Sequence, residues 1–231
     1  MFSFLDSTER QIARKNLMKD YCQTHSYKKP NSSDLQYIVV DDKNKIIYCT
    51  IPKVGTTTWK RILGELRGLK QGINIHRFNL WSRLYQYTEE ERRERIQTYF
   101  KFLFVREPLH RLLSAYKNKF IGNDRKVSES ARAEVIKSYR PQDYKPDGDV
   151  NYDNNISFAE FIRYFSYDLP RNQHWRQYEK LCHPCVINYD FIGHLETLED
   201  DAPLLLKMAV IDNRVTFPPI HKTTATSEVL E

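Results

Sequence analysis

The chain has 231 residues, 40% of them hydrophobic and 13% aromatic, which is enough to bury a substantial core. This composition excludes a largely disordered or low-complexity protein. The formal net charge of +6 favours anionic partners: a nucleotide, an acidic polysaccharide or a nucleic acid. We predict a single domain over residues 1–231, in which 1–34 form an N-terminal helix and linker.

The first part of the chain predicts a short amphipathic helix over residues 11–21 and a linker over 30–34. Glycosylation sequons begin at Asn31 and Asn155, and they favour a lumenal location only weakly. Residues 1–5 are too short for the apolar core of a signal peptide. No later segment is apolar enough to span a bilayer, so these residues alone indicate a soluble, cytosolic protein.

A strand, a short turn and a helix are predicted over residues 45–66. The strand is the apolar, β-branched run 46–51, and Pro52 ends it. The helix has one apolar face at i, i+3, i+4 and i+7, formed by Trp59, Ile62, Leu63 and Leu66. The turn between them contains Lys53, Gly55, Thr56, Thr57 and Thr58. A turn before a helix N-terminus can hold a phosphate on backbone N–H groups, with added help from an ammonium and hydroxyls.

This turn is not a Walker P-loop, in which the lysine follows the second glycine of the motif. Lys53 instead precedes Gly55, the only glycine of the turn. The alternative interpretation is an ordinary β–α turn with a lysine at its edge.

A second strand-to-helix segment follows, with a strand over residues 102–105 and Arg106 at its carboxyl end. Pro108 suits the first turn of the next helix, and Ser114 lies about two turns into it. A guanidinium fork and a nearby hydroxyl indicate a site for a second phosphate. The alternative is that Arg106 pairs with Glu107 or with another acidic residue.

The connecting segments are less informative. Residues 69–87 form a loop-rich connection that contains His76, and residues 89–95 form a charged, solvated helix face. Residues 122–155 are polar and are predicted to be a surface insert, as a lid or as an acceptor-binding segment.

The last third of the chain predicts a helix over 157–165, capped by Ser157 and Glu160, then a strand over 185–189 and a helix over 196–210. Strands that alternate with helices favour a three-layer α/β fold with a mainly parallel sheet. Ligands of such folds bind at the carboxyl ends of the strands, where both predicted phosphate-binding segments lie.

Four cysteines leave three alternatives open: a structural zinc site, free buried thiols, or disulfide bonds in an oxidising compartment. They are Cys22, Cys49, Cys182 and Cys185. The single Cys-x-x-Cys is a poor zinc signature, although His174 and His183 are close in sequence. The sequence does not determine which cysteines would pair.

Several blocks of the sequence resemble the Golgi carbohydrate sulfotransferases. IPKVGTTTWKRIL (51–63) resembles the loop of that family that binds the 5′-phosphosulfate, and FKFLFVREPLHRLLSAYKNKF (100–120) its 3′-phosphate segment. Residues 174–202 and 34–49 are similar to the chondroitin and dermatan 4-O-sulfotransferase branch. Gly55 departs from that branch, which more often has alanine there, and this leaves the acceptor open.

The resemblance implies the P-loop-like sulfotransferase fold and transfer of a sulfuryl group from 3′-phosphoadenosine 5′-phosphosulfate to a sugar hydroxyl, with no metal. Lys53 would stabilise the leaving phosphate, and Arg106 and Ser114 would bind the 3′-phosphate. The remaining residues implied for the cofactor are Pro52, Gly55, Thr56, Thr57, Thr58, Trp59, Lys222, Thr223 and Thr224. The last three lie in a short segment near the C-terminus that resembles a family segment closing over the nucleotide. The alternative is that they belong to a frayed polar tail.

The sugar hydroxyl also needs a general base, for which histidine suits neutral pH. His76 lies between the two cofactor segments, where related uronyl sulfotransferases carry a catalytic histidine. His174, in a matched His-Trp pair, is the alternative, unless its ring merely orients the neighbouring strand.

The resemblance implies a glycan or glycosaminoglycan acceptor, most like GalNAc 4-O in chondroitin or dermatan. It also implies a Golgi location through an N-terminal anchor that these 231 residues do not contain, so we expect a truncated or a soluble form. The rival classes are a nucleotide kinase or NTPase and a basic nucleic-acid-binding module. The lysine–glycine order disfavours the first, and 36 basic residues interleaved with 30 acidic ones disfavour the second.

Overall fold

The structure is a computed structural model that describes residues 6–70, 73–75, 80–121, 125–144, 156–167 and 172–219, with only the backbone at 125–131 and 165–167. The strands are β1 (Ile38–Asp41), β2 (Ile46–Cys49), β3 (Ser82–Arg83), β4 (Phe100–Val105) and β5 (Phe191–His194). The α-helices are α1 (Ser7–Thr24), α2 (Thr56–Leu66), α3 (Glu89–Thr98), α4 (Pro108–Tyr116), α5 (Arg125–Tyr139), α6 (Phe158–Tyr167), α7 (Tyr178–Cys182) and α8 (Leu198–Met208). Short 3₁₀ turns lie at Ser32–Tyr37, Leu84–Gln86, Pro141–Asp143 and Leu195–Thr197, and a π-helical turn at Lys117–Ile121.

The described residues divide into two compact units. Those up to Glu107 and from Gln177 onward form the first unit, and those between Pro108 and Arg176 form the second.

The first unit is built on one five-stranded sheet in the order β3-β1-β2-β4-β5. β2, β4 and β5 run parallel, whereas β1 and β3 add an antiparallel edge. The apolar residues of β2 and those in the middle of β4 are almost fully buried, and α1, α2 and α8 flank the sheet. The predicted α/β class with a parallel core is therefore confirmed.

Helix α1 is an integral part of this unit and is longer than predicted. Asp6 caps it and forms a reciprocal capping box with Glu9. Buried Gln11 both donates to the carbonyl of Ile192 (2.9 Å) and accepts from its N–H (3.0 Å). The side-chain amide thereby satisfies the backbone of β5, which is the edge strand of the sheet.

The predicted strand over 185–189 is wrong, since pairing begins at Phe191. Ile187 and Tyr189 are buried, as an apolar strand would be, but they lie in a turn region. The Tyr189 hydroxyl donates to the carbonyl of Cys182 (2.7 Å), which holds that turn against α7. Asp190 then accepts from the N–H of Lys101 (2.8 Å) and sets the register of β5 on β4.

All four cysteines form disulfides in the first unit. Cys22 pairs with Cys185, and Cys49 pairs with Cys182. This pairing decides between the three alternatives: the cysteines are neither free thiols nor zinc ligands. The second bond ties the carboxyl end of β2 to α7.

The second unit has a separate aromatic core, which includes Phe120, Val135, Phe161 and Trp175. Part of the predicted surface insert belongs to it, because α5 buries Val135 and Ile136. The capping box at α6 is confirmed: the N–H and hydroxyl of Ser157 both donate to Glu160, at 2.8 Å each. No helix among the described residues is long and apolar enough to cross a lipid bilayer.

Candidate active site

The turn after β2, residues 50–55, is anchored firmly to the sheet. The N–H and the hydroxyl of Thr50 both donate to the carbonyl of Tyr37, at 2.8 and 2.7 Å. Ile51 and Val54 are fully buried, whereas Pro52 and Lys53 between them are half-buried. The buried residues fix the turn and leave Lys53 partly accessible to a ligand.

Two residues of this turn have left-handed backbone conformations: Lys53 with φ 73° and Gly55 with φ 82°. Gly55 adopts this conformation readily because it has no Cβ. For Lys53 the same region costs about 1–2 kcal/mol, so the surrounding contacts must hold it there. A Cβ at position 55 would lie 3.6 Å from Leu195 Cδ1, an ordinary contact, so the dihedral angle rather than crowding favours glycine.

Helix α2 begins immediately after Gly55 and has no side-chain N-cap. An uncapped N-terminus offers N–H groups and the positive end of the helix dipole to an anion. The carbonyl of Gly55 accepts from the N–H groups of Thr58 (3.0 Å) and Trp59 (3.3 Å), which closes the first turn. The predicted strand, lysine–glycine turn and helix are therefore all present.

The hydroxyl groups of the turn have different roles. Thr56 donates its proton to the carbonyl of Ile51 and accepts from the hydroxyl of Tyr48 (3.3 Å). Its proton is therefore used inside the turn, which it stabilises, and the cofactor contact implied for Thr56 stays a prediction. Thr57 and Thr58 are half-buried and keep the predicted contact role as a proposal.

Trp59 is a core residue, with only 1% of its surface exposed. Its indole stacks on Phe104 (4.8 Å between ring centroids) and contacts Phe102 and Phe217 edge-on or tilted. Its indole is thus taken up by core packing, and the cofactor contact implied for Trp59 stays a prediction. Trp59 packs α2 against β4, and so fixes the helix end that faces the turn.

Arg106 follows β4 at the same edge of the sheet, because β2 and β4 are parallel. The hydroxyl of Tyr178 accepts from the N–H of Arg106 (3.1 Å) and donates to its carbonyl (2.7 Å). Among the described residues Arg106 forms no ion pair with Glu107 or with any other acid, which removes the alternative raised from the sequence. Sequence reasoning did not identify Tyr178, because a tyrosine in a charged helix has no distinguishing pattern.

The exit of β5 lies beside both segments. Leu195 packs near Gly55, and the N–H of Glu107 donates to Glu196 Oε1 (2.9 Å). His194, the last residue of β5, is thus a histidine at this edge that sequence reasoning missed. Burial, followed by the charge of Arg14, lowers the pKa of His194 below 6.5, so its imidazole is neutral at neutral pH.

A sequence model of the sulfotransferase family matches residues 36–230. This chain belongs to the sulfotransferase family. It is 42% identical to carbohydrate sulfotransferase 14 of Danio rerio over 80% of this chain and 51% of that protein. It is 37% identical to human carbohydrate sulfotransferase 10 over 90% of this chain and 64% of that protein. It is 32% identical to mouse carbohydrate sulfotransferase 12 over 96% of this chain and 62% of that protein.

The family resemblance seen in the sequence is thus confirmed. This sulfotransferase-family chain spans about half to just under two thirds of the length of the curated relatives that it matches. No solved structure matches it significantly.

Two predicted residues of this family member lie in its second unit. Ser114 is half-buried in α4. His174 is half-buried in the turn before α7, and its N–H donates to Asn172 Oδ1 (3.0 Å). Buried Arg111 donates to the carbonyls of Gln173 (3.1 Å) and Arg176 (2.8 Å), on either side of His174. The backbone around His174 is thus fixed by a buried guanidinium, which favours a defined orientation for the histidine.

His76 and the tail residues Lys222, Thr223 and Thr224 lie outside the residues that the structure describes. Their proposed roles therefore rest on the resemblance. Within the described ranges no cluster of three or more histidine, cysteine or acidic side chains could hold a metal ion.

Proposed function

We propose that this chain carries the catalytic unit of a carbohydrate O-sulfotransferase that uses 3′-phosphoadenosine 5′-phosphosulfate as the donor. One observation carries the proposal: Lys53 and Gly55 occupy a rigid turn before an uncapped helix, in a chain of the sulfotransferase family.

The turn after β2 fits the phosphosulfate end of the donor. A doubly charged group suits a site that combines an ammonium, helix N–H groups and the positive end of α2. Lys53 and the first turn of α2 are proposed to hold this end, with Thr57 and Thr58 as further hydrogen-bond donors.

In the proposed reaction the oxygen of a sugar hydroxyl attacks the sulfur, while the bond from sulfur to the bridging phosphate oxygen breaks. The hydroxyl proton passes to a general base, and negative charge develops on the leaving 5′-phosphate. The ammonium of Lys53 is proposed to stabilise that charge in the transition state. Because a sulfuryl group carries less charge than a phosphoryl group, this balance needs no metal ion.

Arg106 is proposed to bind the 3′-phosphate through its guanidinium fork. Its backbone is held on both sides by Tyr178, and it has no carboxylate partner within the described residues. The role of Ser114 at the 3′-phosphate stays a prediction from the sequence resemblance.

His76 is the first candidate for the general base, and His174 is the alternative. The structure adds His194, whose lowered pKa keeps it in the neutral form that can accept a proton. Replacing each histidine by alanine separates the three, because only loss of the base removes the acidic limb of the pH–rate profile. Nucleotide affinity should be unchanged in that variant.

The acceptor is proposed to be a glycan similar to chondroitin or dermatan. The proposed position of sulfation is the 4-hydroxyl of its GalNAc sugar. The acceptor position rests on sequence blocks 34–49 and 174–202, since the relatives include several numbered carbohydrate sulfotransferases. The two disulfides support an oxidising compartment such as the Golgi lumen.

The test is transfer of ³⁵S from labelled donor to desulfated chondroitin, desulfated dermatan and a neutral glycan. We expect label on an acceptor sugar with the native chain and with Lys43→Ala, which changes an exposed lysine between β1 and β2. Lys53→Ala should transfer almost none. Absence of label on every glycan by a folded chain would contradict the proposed activity.

A further inference from the structure

The edge strand β3 places Arg83 on the same face of the sheet as Tyr48, near the end of the strand that leads into the proposed donor loop, the turn at residues 50–55. Val39 of β1 pairs with Arg83 on one side and with Tyr48 on the other. Side chains of directly paired strand residues share one face of the sheet. Tyr48 contacts Thr56 at the start of α2, so Arg83 lies in a row that leads to this helix end.

Lys60 approaches the same row from α2. It lies four residues after Thr56, on the same flank of the helix, and roughly 7.5 Å along the axis from Gly55. Because helical side chains lean toward the N-terminus, we expect its side chain to extend toward the first turn of α2. Burial, together with the neighbouring Arg83, lowers the pKa of Lys60 to about 8.

These two cations share a half-buried environment without a carboxylate. In the described part of the chain Lys60 forms no ion pair, and the guanidinium of Arg83 donates only to the carbonyl of Gln36 (3.3 Å). Two adjacent, partly desolvated cations repel each other, and an anion placed between them would relieve that cost.

An exposed aromatic ring adjoins the pair. Tyr85 is 42% exposed and follows Arg83 by two residues; burial lowers the pKa of Arg83, and Tyr85 partly offsets that effect. An exposed tyrosine offers a flat apolar face and a phenol, which suit the face and the hydroxyls of a sugar ring. A site with two cations and one such ring combines charge recognition with sugar recognition.

We propose that Lys60, Arg83 and Tyr85 form a subsite for an acidic sugar of the acceptor glycan, adjacent to the sugar that receives the sulfuryl group. The anionic group is a uronate carboxylate or a sulfate ester, which share this chemistry. The subsite rests on the proposed function, because it takes its place in the acceptor from the donor loop beside it.

Binding can be measured by calorimetry with the native chain saturated with 3′-phosphoadenosine 5′-phosphate. The probes are a desulfated chondroitin tetrasaccharide, the same tetrasaccharide with its carboxyl groups reduced to alcohols, and a reduced form that carries 6-O-sulfate. We expect at least one acidic form to bind about tenfold or more tightly than the reduced neutral form. The tighter acidic form identifies the anionic group.

Lys60→Gln and Arg83→Gln should each bring that ratio close to one, whereas Lys60→Arg should largely retain it. The matched control is Arg61→Gln, which removes the next cation of α2 from an exposed position and should leave the ratio unchanged. Tyr85→Ala should weaken acidic and neutral probes equally.

The subsite is overturned if the native chain binds acidic and neutral probes alike, or binds none of them. It is also overturned if Lys60→Gln and Arg83→Gln retain the preference. In each case normal binding of 3′-phosphoadenosine 5′-phosphate would leave the proposed sulfotransferase function standing, whereas loss of that binding by the native chain would remove the function itself.

Discussion

Arg95 and the Lys60–Arg83 pair are partly buried cations of the same unit, and their surroundings differ sharply. Arg95 donates to Asp42 Oδ1 (2.9 Å), and its guanidinium lies 4.0 Å from the ring centre of Tyr87. The hydroxyls of Tyr87 and Tyr99 each donate to Asp42 at 2.7 Å.

Arg14 likewise has its charge satisfied, because it contacts the buried carboxylate of Asp201 (2.8 Å). Lys60 and Arg83 have no such partner among the described residues. The comparison teaches that paired charges in this unit support the fold, whereas the cations without a carboxylate are available for an anionic ligand. The predictions below test each side of this distinction.

The largest effect on stability is expected at Asp201, which is fully buried. It accepts from Arg14, from the N–H of His194 (2.9 Å) and from the hydroxyl of Thr197 (2.7 Å). Asp201→Ala would leave a desolvated guanidinium unpaired, and should lower the free energy of unfolding by about 3–5 kcal/mol in urea titrations. The control is Asp200→Ala, whose side chain is 59% exposed and pairs with Arg10, with a loss below about 1 kcal/mol. Equal losses would remove the structural role given to Asp201.

Replacing Lys53, unlike replacing Asp201, should reduce activity and leave stability largely unchanged. Lys53→Ala is expected to lower kcat by a factor on the order of 10²–10³, because one charge contact to the transition state is lost. Lys53→Gly should be equally inactive yet lose no stability, since glycine accepts the positive φ of this position without strain. Steady-state kinetics and thermal unfolding check both variants. Near-native kcat at saturating donor, or a stability loss as large as that of Asp201→Ala, would contradict the assignment.

Lys60→Met should leave the stability at pH 7 unchanged or raise it, because it removes a partly buried cation next to Arg83. The pKa of Lys60 is lowered from 10.5 to about 8 in the folded chain. Between these values the unfolded chain binds more protons, so the native chain should gain stability as the pH rises from about 8 to 10.5. Unfolding titrations at pH 7 and pH 10 should show that Lys60→Met lacks this part of the gain. A large loss at pH 7 would instead identify Lys60 as a structural cation.

The smallest effect is expected at Asp42, the partly exposed carboxylate that binds Arg95, Tyr87 and Tyr99. Burial alone would raise the pKa of Asp42, but hydrogen bonds from two phenols and the guanidinium bring it below 3.8. The carboxylate therefore stabilises the fold above that value, and the contribution is lost as the pH falls through the folded pKa. Asp42→Asn should lower the melting temperature modestly at pH 7 and should converge with the native chain below pH 3.8. A difference that persists unchanged in acid would show that the cluster acts by packing.

The sequence predicted the strand, turn and helix around residues 50–55 well because the signals for them are local. The apolar runs at β2 and β4, the glycine before α2 and the helical period of its buried face each require only neighbouring residues. The β5 strand was misplaced because Ile187 and Tyr189 are apolar and buried without pairing, and only the disulfide and the contacts of Asp190 determine where pairing begins.

The side-chain roles within the site were harder to predict. Trp59 and Thr56 follow the same turn, but one side chain faces the core and the other donates to Ile51. The Lys60–Arg83 pair depends on the register of the two-residue strand β3, which has no sequence signature of its own. These features depend on contacts between distant segments, which local patterns do not encode.

The central claim is tested most directly by the affinity of the chain for 3′-phosphoadenosine 5′-phosphate, measured by isothermal titration beside adenosine 5′-phosphate, ATP and duplex DNA. We predict that the native chain binds the 3′-phosphorylated nucleotide at least about tenfold more tightly than adenosine 5′-phosphate. Arg106→Ala should remove that preference and leave the affinity for adenosine 5′-phosphate unchanged. Equal affinity of the native chain for both adenosine nucleotides, or a preference for ATP or DNA, would contradict the account.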